Sequence, residues 1–121
     1  NLPLDIVDLY CAQIHMKYME NIMYGTIFNL KVKPGHLDAL TKIIDDNGVP
    51  DGGVAWFLMK PDDEQADLIG VVVFESKEAH IANSNRPGQH EMFIKMMEHL
   101  VEEPSWTDGT YIMGETVQTN P

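Results

Sequence analysis

Residues 53–75 have the sequence GVAWFLMKPDDEQADLIGVVVFE, in which two apolar segments flank an acidic turn. Both segments, 53–60 and 68–75, are rich in the β-branched and aromatic residues that favour strands. Their lengths, and the Pro-Asp-Asp turn between them, predict a β-hairpin. Because successive positions of each strand are apolar, the hairpin would present an apolar surface on both faces of its sheet.

The sequence before the hairpin predicts a strand and then a helix. Residues 22–33 alternate in the way that is typical of a half-buried strand. Residues 36–46 place Leu and Ile at helical spacing. A Pro-Gly pair separates the two elements, and an Asn-Gly pair ends the helix because it tolerates left-handed backbone geometry.

The sequence after the hairpin predicts two helical segments and a last strand. A short helix is expected over 77–84 and a longer amphipathic helix over 88–102, with an Asn-Arg-Pro-Gly break between them. Pro104 would stop the longer helix. Residues 109–114 then predict the last strand.

This order of elements predicts an α+β fold of the ferredoxin-like βαββαβ type. The domain is expected to span 22–114, between an N-terminal arm or short helix at 1–21 and a C-terminal tail at 115–121. The helices can cover only one face of a four-stranded sheet, so the apolar hairpin would leave the other face in water. The pattern therefore predicts a homodimer that packs sheet face against sheet face.

Charge and composition restrict the classes of function. The 121 residues carry 8 Lys and Arg against 19 Asp and Glu, a formal net charge of −11. A field of that sign repels nucleic-acid phosphates and anionic lipid headgroups, so neither a nucleic acid nor a membrane is an expected partner. Cys11 has no second cysteine with which to form an internal disulfide. Since no membrane-length apolar run or signal-peptide pattern is present, the expected location is the cytoplasm.

Motif spacing argues against several chemistries. The chain has no Walker A loop, no GxGxxG after a strand and no GxSxG, so nucleotide binding and serine hydrolysis are not predicted. Cys11 and His15 have the spacing of two ligands on one helix face, but the other histidines are scattered. The acidic turn at 62–67 lacks the spacing and glycine of a calcium loop. No metal site is therefore predicted.

Three stretches carry a resemblance to a known family: FESKEAH (74–80), ANSNRPGQH (82–90) and EEPSWTDGTY (102–111). Together with the order of elements, they make 22–114 resemble the antibiotic biosynthesis monooxygenase domain family, a dimeric α+β barrel. Its best-known members oxygenate polycyclic aromatic phenols or quinols with O₂ and without flavin, haem or metal, whereas others degrade haem. The resemblance implies a cofactor-independent monooxygenase that holds a small aromatic phenol or quinol between sheet and helices.

The actinorhodin-type monooxygenases supply one residue-by-residue comparison. Their strand-to-helix junction reads Trp-Glu-Ser-Glu-Gln-Ala-Tyr, with an Asn four residues before the Trp. Here Phe74 takes the Trp position, His80 the Tyr position and Gly70 the Asn position. Of these substitutions, only His80 keeps a side chain able to transfer a proton.

The haem-degrading members supply the second comparison. They combine an Asn on the first strand with a Trp and a His on the second helix. Here Phe28 takes the Asn position, Asn83 falls near the Trp position, and His90 lies a few residues before the His position. That triad is not reproduced, so the resemblance to the haem-degrading members is weaker.

His80 is the candidate catalytic residue. Its imidazole could accept the proton of a phenol, leaving an electron-rich anion that donates to O₂. The candidate substrate-binding residues are aromatic walls and nearby polar groups: Phe28, Asn29, Trp56, Phe74, Asn83 and His90.

An alternative stays open for the same residues. Aromatic side chains often only fill a core, and a histidine at a helix start often only faces solvent. The chain would then be a non-catalytic dimeric module that binds a small apolar ligand or serves a structural role. A cavity that joins His80 to a second polar group would favour the enzyme, and a filled core would favour the module.

Overall fold

The computed structural model describes residues 22–115, so the arm or helix predicted for 1–21 lies outside the described residues. Along that range the strands and helices follow in the order β1 (Tyr24–Leu30), α1 (Leu37–Asn47), β2 (Gly53–Met59), β3 (Leu68–Phe74), α2 (Lys77–Ser84), α3 (Pro87–Met97) and β4 (Ser105–Thr110). This order confirms the ferredoxin-like α+β fold, in which the second helix of the pattern is divided into α2 and α3.

The four strands form one antiparallel sheet in the order β2-β3-β1-β4. β2 pairs with β3, which confirms the predicted hairpin. In the central pair Leu30 lies opposite Leu68, and Phe28 lies opposite Gly70. Directly opposed residues share a face of the sheet, so the even-numbered positions of β1 and β3 point to one side and the odd-numbered positions to the other.

The hydrophobic core lies on the even-numbered face, under α1 and α3. Leu40 of α1 and Met96 of α3 pack against strand residues Leu30 and Leu68, and Leu100 completes the cluster. Leu30 and Leu40 are fully buried. The core is centred on the Leu30 end of β1. The Tyr24 end of the same face lies outside this cluster.

The odd-numbered face of the sheet is apolar and open. Phe57 lies opposite Val71, and Val71 lies opposite Ile27, so the three side chains share this face. Phe57 is 68% exposed, Met59 is 53% exposed and Ile27 is 43% exposed. Within the described residues the helices all pack on the other side, so these three side chains stay exposed.

The predicted end of the long helix was wrong. The helix expected over 88–102 ends at Met97. Beyond it, Leu100 forms an isolated antiparallel bridge with Val32. This long-range pairing takes the place of the last residues of the expected helix, and the sequence-local pattern could not reveal it.

The predicted position of the last strand was also wrong. The strand expected over 109–114 lies at Ser105–Thr110, where Trp106 pairs with Phe28. Pro104 directly precedes this strand, which is a position that proline tolerates because no ladder hydrogen bond is lost.

Gly25 marks a close approach between the two central strands. A Cβ at this position would overlap the backbone carbonyl oxygen of Val72, and the ring of Tyr111 lies just above it. The Tyr111 hydroxyl donates a hydrogen bond to the same Val72 oxygen at 3.1 Å. Partial burial of the Tyr111 hydroxyl disfavours its charged form and raises its pKa.

Replacing Gly25 therefore provides a test of the register. Gly25→Ala should lower the free energy of unfolding by about 1–3 kcal/mol, because backbone atoms must move to admit the methyl group. Gly109 is the matched control, since it lies opposite Gly25 on β4 and a Cβ there would meet nothing within 4 Å. Urea denaturation at one protein concentration measures both variants. Equal midpoints for Gly25→Ala and Gly109→Ala would contradict this register.

Candidate functional site

A cavity of about 370 Å³ lies between the sheet and the helices, at the end of the even-numbered face that the core leaves free. Its floor is made of β-strand side chains, including Thr26 and Val72, which lie opposite each other on β1 and β3. Its roof comes from α2 and α3, and its rim includes the segment between α1 and β2. The volume falls in the range of small-molecule sites.

The start of α2 positions the candidate base at this cavity. Ser76 caps the helix, and its hydroxyl oxygen accepts a hydrogen bond from the Ala79 backbone at 3.1 Å. His80 follows one turn later, and its ring centroid lies 5.3 Å from those of Tyr24 and Phe74. The ring is thus held by two aromatic neighbours.

The hydrogen bonds of His80 within the described residues engage its backbone. Its N–H donates to the Ser76 carbonyl at 3.2 Å, and its carbonyl accepts from the Ser84 hydroxyl at 3.1 Å. Within residues 22–115 no group makes a hydrogen bond to the imidazole nitrogens. A half-buried imidazole at a cavity wall can accept a proton there and pass it to solvent.

The aromatic wall of the cavity depends on Gly70. A Cβ at Gly70 would overlap the ring of Phe28, which occupies the space above this glycine. Phe28 in turn packs against Trp106, with the ring centroids 5.0 Å apart and the planes inclined by 42°. Trp56 lines another part of the same cavity. A planar aromatic ligand can stack on such walls.

The polar groups at the cavity include hydrogen-bond acceptors as well as donors. The Thr26 hydroxyl donates to the Thr107 carbonyl at 3.2 Å, so its oxygen can only accept from a ligand. Asp108 supplies a carboxylate. The Asn83 side-chain oxygen is buried and has no hydrogen-bond partner among residues 22–115. Among the described residues, no lysine or arginine lines the cavity.

The structure brings together six of the seven residues that the sequence analysis selected. The cavity is lined by His80, Phe74, Trp56, Phe28, Asn83 and His90. Asn29 is not among the lining residues. It is exposed on the odd-numbered face of β1, because successive strand residues point to opposite sides and its neighbour Phe28 points inward.

The lining residues that the sequence analysis did not select include Trp106, Asp108 and Thr26. Trp106 and Asp108 were missed because the last strand was expected over 109–114, after both residues. In the observed β4 they are two residues apart, so their side chains point to the same face. Thr26 lies two residues before Phe28 on β1, so both side chains point to the same face. Strand alternation therefore predicts that Thr26 also lines the cavity.

Two negative findings apply to residues 22–115. No group of three or more His, Cys, Asp or Glu side chains in this range could hold a metal ion. No helix in the same range is both long and apolar enough to cross a membrane. The Cys11 and His15 pair considered from the sequence lies outside the described residues.

Comparison with known proteins gives matches among solved structures alone, since no family model and no curated protein matches the chain. A structure from Caulobacter crescentus, described as a "putative antibiotic biosynthesis monooxygenase", is 15% identical with a TM-score of 0.67, covering 82% of this chain and 99% of that chain. A structure from Chloroflexus aurantiacus with the same description is 20% identical with a TM-score of 0.64, covering 79% and 99%.

A third match is a dimeric ferredoxin-like protein of unknown function from Thermobifida fusca. It is 7% identical with a TM-score of 0.63, covering 76% of this chain and 93% of that chain. At such identities the likeness establishes the fold. The chain therefore has the ferredoxin-like α+β fold shared by structures that carry the antibiotic biosynthesis monooxygenase description, in agreement with the resemblance found in its sequence.

Proposed function

We propose that this protein is a cofactor-independent monooxygenase that acts on a small aromatic phenol or quinol in the cavity between sheet and helices. The observation that carries the proposal is the placement of His80, whose ring lines a cavity of about 370 Å³ with aromatic walls. The description of several structures of the same fold as monooxygenases supports it.

The reaction requires only the substrate, O₂ and a base. The ring of the substrate stacks against Phe28 and Trp106, and the His80 imidazole accepts the phenolic proton. The resulting phenolate donates electrons from a ring carbon to O₂, and a carbon–oxygen bond forms. Loss of one water then leaves a carbonyl at that carbon, so the phenol and O₂ give a quinone and H₂O. The substrate itself supplies the two electrons that reduce the second oxygen atom.

The alternative is a non-catalytic dimeric module that binds a small aromatic ligand in the same cavity. It is favoured by Phe74 and Gly70, which stand where the actinorhodin-type enzymes have a Trp and an Asn. Phe28 fills the space above Gly70, so no neighbouring side chain replaces the missing amide there. Both alternatives predict ligand binding, and only the enzyme consumes oxygen.

Removing the imidazole tests the catalytic role. His80→Ala should lower the rate of oxygen uptake with 1-naphthol on the order of 100-fold, because the general base is lost. The deficit should shrink above the pKa of the naphthol, where the phenolate forms without a base. Alanine is well tolerated in a helix, so the circular dichroism spectrum should stay unchanged.

His36→Ala is the matched control. The His36 Nδ1 lies 2.9 Å from the Nδ1 of His99, and neither residue lines the cavity. This variant also removes one imidazole and should keep the wild-type rate of oxygen uptake. Wild-type turnover in His80→Ala would contradict the role of His80 as the base. No oxygen uptake by the wild type with any naphthol or quinol would leave the binding module as the better account.

We also propose that the protein forms a homodimer through the open, odd-numbered face of the sheet. The exposed side chains of Phe57, Met59 and Ile27 make that face costly to leave in water. A second copy of the sheet is the simplest cover, because a two-fold axis matches the face to itself. The description of the Thermobifida fusca structure as dimeric supports this assembly.

A charge on the open face should dissociate the dimer. Phe57→Glu places a carboxylate at the proposed contact and should raise the dimer dissociation constant on the order of 100-fold or more, because the charge would be buried without a partner. Ile94→Glu is the control, since Ile94 is 51% exposed on α3, on the helix side. Sedimentation at micromolar concentration should give twice 13.7 kDa for the wild type and for Ile94→Glu. A wild-type mass of 13.7 kDa would contradict the dimer.

A further inference from the structure

Asp108 places a carboxylate at the cavity that no cation of the described chain balances. Among residues 22–115 it is the only carboxylic acid that lines the cavity, and no lysine or arginine lines it. The ion pairs in this range join Lys31 to Glu102 and Lys42 to Asp46, so Asp108 takes part in neither. The charge of Asp108 is therefore available to a ligand.

The strand β4 does not itself require an aspartate at this position, because aspartate is depleted in strands. Asp108 lies two residues after Trp106, so its side chain points to the cavity side of the sheet. A charge that points inward on an edge strand can also prevent pairing with a second sheet. Ligand binding separates the two roles, because protection of the edge needs no ligand.

Trp106 supplies the second component of a cation site. An extended strand rises about 3.3 Å per residue, so the Cα atoms of Trp106 and Asp108 lie about 6–7 Å apart. The Trp106 ring packs against Phe28, and the residue is still 48% exposed. Tryptophan is the best aromatic partner for a cation that lies over its ring face, within about 6 Å of the centroid. One ammonium group can thus contact the indole and the carboxylate together.

The register of the sheet orients a ligand that uses this pair. Asp108 lies opposite Thr26 and Thr26 lies opposite Val72, so the three form one row across the cavity floor. Neighbouring strands are about 4.8 Å apart, so the row spans about 10 Å. Phe74, beside the inner end of the row, is buried, whereas Asp108 is exposed. An aromatic ring therefore fits the inner end, and a charged substituent fits the β4 end.

The electrostatics of the protein favour a positive charge at that end. The formal net charge is −11, which attracts cations and repels anions. Because Asp108 is exposed, an ammonium group beside it keeps part of its hydration, and this lowers the cost of removing it from water. A carboxylate on the ligand would instead face the carboxylate of Asp108.

We propose that Trp106 and Asp108 form a subsite for an ammonium group, so the cavity takes phenols that carry an amine on a short side chain. The inference rests on the proposed function for the identity of the cavity as the substrate site. It goes further by naming a cationic substituent of the substrate and the two side chains that recognise it.

Anaerobic NMR titration with three matched phenols tests this subsite without turnover. Tyramine, tyrosol and 3-(4-hydroxyphenyl)propanoate each join a phenol ring to a two-carbon chain, which ends in an ammonium, a hydroxyl or a carboxylate group. The wild type should bind tyramine on the order of 5- to 10-fold more tightly than tyrosol, and the propanoate most weakly. The preference for tyramine should shrink in about 1 M salt, because salt screens exposed charges.

Two variants at one position separate recognition from structure. Asp108→Asn keeps the size of the side chain and removes its charge, so it should lose most of the preference for tyramine while its affinity for tyrosol stays unchanged. Asp108→Lys should reverse the order, so that the propanoate binds more tightly than tyramine. Lysine is common on edge strands, so this variant is expected to fold.

Glu64→Gln is the matched control. Glu64 is exposed in the turn between β2 and β3 and does not line the cavity. This variant changes the net charge by the same amount as Asp108→Asn and should keep the wild-type preference for tyramine. A preference that falls equally in both variants would assign it to the overall charge and overturn the subsite.

The other outcomes distinguish this inference from the proposed function. Equal affinities of the wild type for tyramine and tyrosol, or a preference unchanged in Asp108→Asn, would overturn the subsite and leave the oxygenase proposal standing. Binding of 1-naphthol but of none of the three probes would do the same. A preference that follows Asp108, without oxygen uptake from any phenol, would support the subsite and overturn the oxygenase.

Discussion

Leu40 of α1 and Met96 of α3 pack over Leu30 and Leu68 at one end of the sheet. The position of this contact determines where space remains for a cavity at the other end. Among the described residues, five of the six buried apolar side chains belong to this cluster, and the sixth, Phe74, lies at the opposite end of the face against His80 of α2. The helix α2 itself has no buried residue. The cavity is thus a consequence of where the core lies, and α2 forms part of its roof.

The strand β3 links this cavity to the open face of the sheet. Val72 and Phe74 line the cavity, whereas Val71 and Val73 point to the opposite side. One face of β3 would meet the proposed ligand, and the other would meet the proposed second subunit. Because both surroundings are apolar, β3 is apolar at successive positions. A dimer through this face would hold the cavity floor rigid from behind.

Much of the fold could be predicted from the sequence because its signals are local. The hairpin, the alternation in β1 and the break before Pro87 follow from propensity and period. The last strand could not be placed in the same way, because Asp108 and Gly109 are typical of turns. Only the long-range pairing of Trp106 with Phe28 makes this segment a strand.

The candidate site was predictable to a similar degree and for similar reasons. His80 and Phe74 could be selected because a strand end followed by a helix start commonly bounds a ligand cleft. Asn29 does not line the cavity, because it points to the face of β1 opposite to Phe28. The unpaired oxygen of Asn83 and the stacking of Phe28 above Gly70 depend on packing between distant segments, so no local pattern contains them.

The central claim is that the cavity receives an aromatic ligand, and tryptophan fluorescence tests it directly. The chain has two tryptophans, Trp56 and Trp106, and both line the cavity. Neutral 4-nitrophenol absorbs where tryptophan emits, so its binding should quench the emission of the wild type saturably. Saturation should persist in Trp56→Phe and in Trp106→Phe, with a dissociation constant equal to or higher than that of the wild type because one stacking surface is smaller. Quenching that rises linearly, as it does for free tryptophan in solution, would contradict the account.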